Sequence, residues 1–219
     1  MLSGNILDDQ KILLQYANET PDDFVAAALD DFILVRAAVI VKMFECIMLR
    51  DFTKASEMTL NYSHFFEQVA PLEVNLNFMA GLVWLHMART TRESSWIERG
   101  TKMLAAYENW SIVNRSDNEH KYLLLKAEYH QFKGETVAAI EAYQASINSA
   151  HSNQFIFHEA IACEMAAHHF GNIGEKNRTR EMIRKTHDVY MEWGAKAKAK
   201  SVLELLNLRY LDDTVLNTT

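Results

Sequence analysis

A repeated helix–glycine–helix pattern over residues 118–198 constrains the fold of this chain more than any other feature. Helical patterns near residues 119–133 and 155–172 each run into a glycine, and a second helical pattern follows each glycine. The two glycines, Gly134 and Gly174, lie 40 residues apart. Such a period is typical of helical solenoids, because one hairpin cannot bury its apolar face alone and needs the next hairpin to cover it.

Turn and capping signals divide the rest of the chain into further helices. Thr20-Pro21 predicts a helix start, and Arg50-Asp51-Phe52 predicts a tight turn between helices. Two capping boxes, Ser95–Glu98 and Ser116–Glu119, predict two more helix starts. We expect helices over residues 22–50, 53–68 (with Ala55 and Leu60 facing inward), 72–89, 95–110 and 195–207. The sequence therefore predicts an all-α solenoid of about four helical hairpins plus a C-terminal helix, with no convincing strand.

The repeats are expected to occupy most of the chain. Residues 1–20 are predicted to be weakly structured or to form one short helix, residues 21–210 to form the repeat domain, and residues 211–219 to be a frayed tail. Near the end of the repeats, Gly194 should terminate a helix in a left-handed conformation. Its neighbours Tyr190, Trp193, Ala195 and Lys196 are interpreted as a structural motif of packing and close helix contact rather than as a recognition loop.

Composition excludes several classes of function. A net charge of −7 disfavours a nucleic-acid partner, since phosphate neutralisation needs clustered basic residues. The most apolar run, residues 32–49, is interrupted by charged side chains, so no membrane insertion is expected. Cys46 and Cys163 form no metal or redox motif and suit a reducing compartment. With no signal peptide at the N-terminus, we expect a cytoplasmic protein.

One helix concentrates side chains that could carry chemistry. His158, Glu164 and His168 could form a metal site, and a metal-dependent enzyme using this face is the alternative function. Glu164 and His168 are four residues apart and share a face. The sequence has no HExxH motif, and no third group orients Cys163 and His168 as a nucleophile and its base. A polar helix stripe that happens to contain histidines is favoured, and no cofactor is expected.

The repeats resemble a known family. Ala127, Gly134 and the segment Ala139–Tyr143 resemble the tetratricopeptide pattern, although the repeat exceeds the usual length of about 34 residues. Residues 31–206 are similar to the helical-repeat region of signalling proteins that combine an AAA-type predicted ATPase with a hybrid histidine or serine/threonine kinase. The similarity is carried by 109–110, 118–124, 127–128, Ala160, Glu164 and, most specifically, 190–198 with 203–204. One departure is that Leu211 follows Tyr210 where the family has proline.

The resemblance implies a non-catalytic, tetratricopeptide-like superhelix that mediates protein–protein or interdomain contacts. The chain is then expected to be a fragment of a multidomain ATPase or kinase, or an orphan repeat module. Its partner would be a protein, a peptide or a neighbouring domain, held on a concave side. The candidate lining residues are Lys121, Lys126, His130 and His158. A purely structural spacer is the third hypothesis.

Overall fold

The computed structural model describes residues 32–63, 66 and 74–210, and within these residues all regular structure is helical. The nine described helices are α1 (Phe32–Leu49), α2 (Phe52–Asn61), α3 (Val74–Thr91), α4 (Ser94–Val113), α5 (Arg115–Lys133), α6 (Thr136–Ser152), α7 (Ile156–Asn172), α8 (Lys176–Trp193) and α9 (Lys196–Tyr210). The predicted all-α class is confirmed. The predicted segments 1–20 and 211–219, the Thr20-Pro21 helix start and the helix onset at 22 lie outside the described residues.

The chain divides into two compact units, residues 1–93 and 94–219. In the first unit, α1, α2 and α3 pack on one another. The predicted turn at Arg50 is confirmed: Arg50 has a left-handed φ of 57°, and the carboxylate of Asp51 accepts a hydrogen bond from the Lys54 backbone N–H at 3.0 Å. The indole N–H of Trp84 donates to the buried Thr59 hydroxyl at 3.0 Å, which ties α3 to α2.

In the second unit, each helix from α4 to α9 packs against the next helix along the chain. Helix α7 also contacts α5 and α9, the helices two places before and after it. The small residues Ala127, Ala139 and Ala167 are fully buried, as the sequence predicted for helix crossings. The large side chains of Tyr107, Tyr143 and Tyr190 are also fully buried.

The same turn connects the helices from α5 to α9. Its left-handed residues are Gly134, Gln154, Gly174 and Gly194, with φ of 76°, 63°, 79° and 91°, and each lies 20 residues after the one before. In every case the N–H of the left-handed residue bonds the carbonyl three residues back, and the next N–H bonds the carbonyl five residues back. This is the Schellman pattern that ends helices. The predicted left-handed Gly194 is therefore confirmed, and so is the role of Gly134.

Some local predictions were wrong. Helix α4 begins at Ser94, and α5 begins at Arg115 with Asn114 before it, so neither predicted capping serine lies at a helix start. The Ser116 hydroxyl, already inside the first turn of α5, instead donates to the Asn114 side chain at 3.0 Å. Helix α2 ends at Asn61 rather than near residue 68, and Leu60 in its last turn is 49% exposed.

Two further predictions concern burial and membrane insertion. Ala55 is fully buried, as expected. Among the described helices, none is long and apolar enough to cross a membrane. The boundaries of the repeat domain at 21 and 210 stay a prediction.

Candidate functional site

A groove of about 550 Å³ lies in the second unit between α6 and α8, with α7 at its base. We call it the α6–α8 groove. It is lined by Ile140, Glu141, Gln144, Ala145, Asn148, Phe170, Arg178, Glu181 and Met182. Its volume is within the range of about 300–1,000 Å³ that is usual for ligand sites.

Helix periodicity places the walls of this groove. On α6, Glu141, Gln144 and Asn148 recur at intervals of three and four residues, so they form one stripe along the helix. The amide of Gln144 donates to the Asn148 side-chain oxygen at 2.9 Å, which aligns the two amides. On α8, Arg178 and Glu181 repeat the spacing on the opposite wall. The walls are therefore polar and exposed to solvent.

The base of the groove is apolar. Phe170 and Met182 are 6% and 8% exposed, so only their edges reach the groove. The Arg178 guanidinium lies 5.7 Å from the centre of the Phe170 ring, where the negative ring face attracts a cation. An apolar base between polar walls can hold an apolar group while hydrogen-bonding its polar neighbours.

Buried polar contacts fix the helices that form the groove. The Tyr190 hydroxyl and the Lys198 ammonium both donate to the Glu164 carboxylate, at 2.7 and 2.8 Å, and so join α8 and α9 to α7. The Tyr143 hydroxyl donates to the Glu128 carboxylate and joins α6 to α5. Since these carboxylates are buried and partnered, they hold the packing rather than face a ligand.

The structure brings together Lys121 and His158, two of the four residues predicted to line a concave face. The Lys121 ammonium lies 5.9 Å from the centre of the Phe155 ring, and the rings of His120 and His158 are 4.7 Å apart. Burial, with Lys121 nearby, lowers the pKa of His120 to about 4. Burial also lowers the pKa of His158, as do His120 and Lys121. The pKa of Lys121 is lowered by burial too.

Lys126 and His130, the other two predicted lining residues, lie elsewhere on α5. The Lys126 ammonium is 5.4 Å from the centre of the Tyr122 ring, and His130 Nδ1 is 2.6 Å from the Glu135 carboxylate. Both side chains are partly exposed. The binding role of all four residues stays a prediction, but Lys121 and His158 are buried while Lys126 and His130 reach the surface.

The side chains suggested for metal or nucleophilic chemistry have structural partners. The Glu164 carboxylate accepts hydrogen bonds from Tyr190 and Lys198. His168 Nδ1 is 3.0 Å from the Tyr210 hydroxyl. In the described ranges, no three His, Cys, Asp or Glu side chains converge on a common point. Burial raises the pKa of Cys163 to about 12, so its sulfur stays a neutral thiol, which is a poor nucleophile.

The motif around Gly194 has a packing role. Tyr190 is fully buried, and the Trp193 ring lies 5.1 Å from the Phe157 ring across α7 and α8. Ala195 continues the Schellman turn with its N–H on the Tyr190 carbonyl at 2.9 Å. Lys196 then begins α9.

Sequence reasoning missed the α6–α8 groove. The polar stripe Glu141–Asn148 is visible at helical spacing, yet such stripes usually face only water. This stripe becomes part of a groove through α8, whose Arg178 and Glu181 lie at least 30 residues later.

Comparison with known proteins adds no relative. No protein-family model matches the chain, and no curated protein or solved structure is significantly similar to it.

Proposed function

We propose that this chain is a non-catalytic helical-repeat scaffold, a tetratricopeptide-like superhelix that binds a protein or peptide segment. One observation carries the proposal: the left-handed turn residue recurs every 20 residues from Gly134 to Gly194. A constant turn at a constant interval joins helices of similar length, and each one packs on its neighbours. That is the design of solenoids, whose extended surfaces bind partners.

The distribution of chemical groups supports a binding role over the alternative metal enzyme. Glu164 and His168, the groups suggested for metal binding, contact Lys198 and Tyr210 and hold α9 on α7. Exposed polar side chains of α6 and α8, among them Gln144 and Glu181, line a groove instead. Following the family resemblance, we place the scaffold within a larger ATPase- or kinase-type signalling protein, where it would contact other domains.

Binding by the full chain to a panel of fluorescent peptides tests the proposal. The panel carries acidic, neutral and basic sequences around a central apolar residue, and polarisation is measured during titration. We expect saturable binding of at least one class with a Kd on the order of 10–100 μM, typical of weak transient contacts. Metal analysis of the same protein provides the opposing test. Absence of binding by every class, or stoichiometric zinc or iron in the purified chain, would overturn the scaffold proposal.

A further inference from the structure

The two acidic residues of the α6–α8 groove stand on opposite walls. Glu141 belongs to α6 and Glu181 to α8, and both are exposed. Within the described ranges, neither carboxylate takes part in an ion pair or a side-chain hydrogen bond. The third charge of the groove, Arg178, lies over the Phe170 ring at the base. The groove therefore carries one positive and two negative groups.

The apolar base lies between these carboxylates. Phe170 and Met182 present ring and thioether edges, and Ile140 and Ala145 extend the apolar surface along α6. The flexible methionine side chain adapts to varied apolar groups at low cost. A group that fits here is apolar where it contacts the base and cationic where it passes the walls.

The amides of Gln144 and Asn148 add a third element. One hydrogen bond joins them, and each amide has two donors and one acceptor oxygen. They have further capacity to bond the N–H and C=O groups of an extended peptide lying along α6. A peptide backbone has such groups at every residue, which favours a peptide over a rigid small molecule.

We propose that the α6–α8 groove binds an extended peptide segment in which a lysine or arginine is next to an apolar side chain. The apolar side chain lies on Phe170 and Met182, and the cation lies between Glu141 and Glu181. This proposal rests on the scaffold function proposed above and names the class of its ligand. It predicts that basic peptides of the panel bind more tightly than acidic ones, and that salt weakens the binding.

Charge substitutions at the groove test the proposal. Glu141→Gln and Glu181→Gln should each weaken binding of the basic peptide by about threefold, the usual size for exposed ion pairs. The double reversal E141K/E181K should weaken it more than tenfold. Arg178→Gln should strengthen binding of the basic peptide, because it removes the positive charge that Arg178 contributes to the groove. Glu192→Gln, an exposed glutamate on α8 outside the groove, is the matched control and should have no effect.

The outcomes separate the two proposals. If peptides bind but E141K/E181K binds the basic peptide as the unaltered chain does, the groove proposal is wrong and the scaffold proposal stands. The same holds if acidic peptides bind more tightly than basic ones. If no peptide binds, both proposals fail. All substituted residues are exposed, so circular dichroism should show the same helix content and thermal midpoint for every variant.

Discussion

The contact between Gly171 and Tyr210 gives the sharpest test of the tertiary structure. A Cβ added at Gly171 would lie 2.5 Å from the Cγ and Cδ1 atoms of the Tyr210 ring, whereas carbon atoms normally approach to about 3.5–4.0 Å. The ring would have to move by about 1 Å. Its hydroxyl is hydrogen-bonded to His168 Nδ1 and to the Asn172 side-chain oxygen, both at 3.0 Å, so displacement breaks these contacts.

Two effects of opposite sign decide the result of Gly171→Ala. Alanine is favoured over glycine in a helix by about 0.5–1 kcal/mol, and less near the helix end where Gly171 lies. Overpacking and the lost hydrogen bonds cost about 1–3 kcal/mol. We therefore expect Gly171→Ala to lower the free energy of unfolding by about 1–2 kcal/mol. In a Tyr210→Ala background the clash is gone, and the same substitution should stabilise the chain by about 0.5 kcal/mol.

The assay is a double-mutant cycle. Urea unfolding followed by far-ultraviolet circular dichroism gives the four stabilities, and hydrogen exchange of the α9 amides shows where protection is lost. Tyr210→Phe is the matched control, since it keeps the ring and Gly171→Ala should still be destabilising there. The reasoning is refuted if Gly171→Ala has the same sign and size with and without the Tyr210 ring, because additive effects would mean that the two residues are not in contact.

Three other sets of variants test the turns and the buried polar groups. Gln154→Gly should stabilise the chain by about 1 kcal/mol in urea unfolding, because a non-glycine residue at φ 63° is strained. Gly174→Ala should destabilise it by a similar amount although no atom lies within 4 Å of the new Cβ; changes of the same sign would contradict this. Burial lowers the pKa of His120 to about 4, whereas in the unfolded chain the pKa of this side chain is about 6.5. Between these pH values the folded state therefore binds fewer protons than the unfolded state. The free energy of unfolding that depends on this group should be fully present above a pH of about 6.5 and should fall as the pH drops towards about 4. The fall should be smaller in His120→Gln, and identical pH profiles of the urea midpoint for the two proteins would refute this. Lys198→Met should cost about 3 kcal/mol in thermal or urea unfolding, since it leaves the buried Glu164 carboxylate without its cation. Adding Glu164→Gln should recover part of that loss, and a double variant less stable than Lys198→Met would argue against the pair.

Most of the described helices and turns follow from local sequence signals. A helix end at Gly134 or Gly194 depends on one residue's freedom to adopt a left-handed conformation, and that freedom is local. Amphipathic spacing between such ends is also local, so the all-α class and the approximate bounds of α5 to α9 could be predicted. Capping serines were less reliable, because nearby residues such as Asn114 compete for the same helix start.

The remaining features depend on residues that meet only after the helices pack, so only the tertiary structure reveals them. Gln154 adopts the same left-handed turn as the glycines, although its side chain disfavours that conformation, and packing of the flanking helices provides the compensating energy. Glu164 resembles a metal ligand in the sequence, yet the structure pairs it with Lys198, 34 residues later. The α6–α8 groove forms because α6 and α8 both pack on α7, which places their polar stripes on either side of an apolar base. The distance between two helices is not encoded in the periodicity of a single segment.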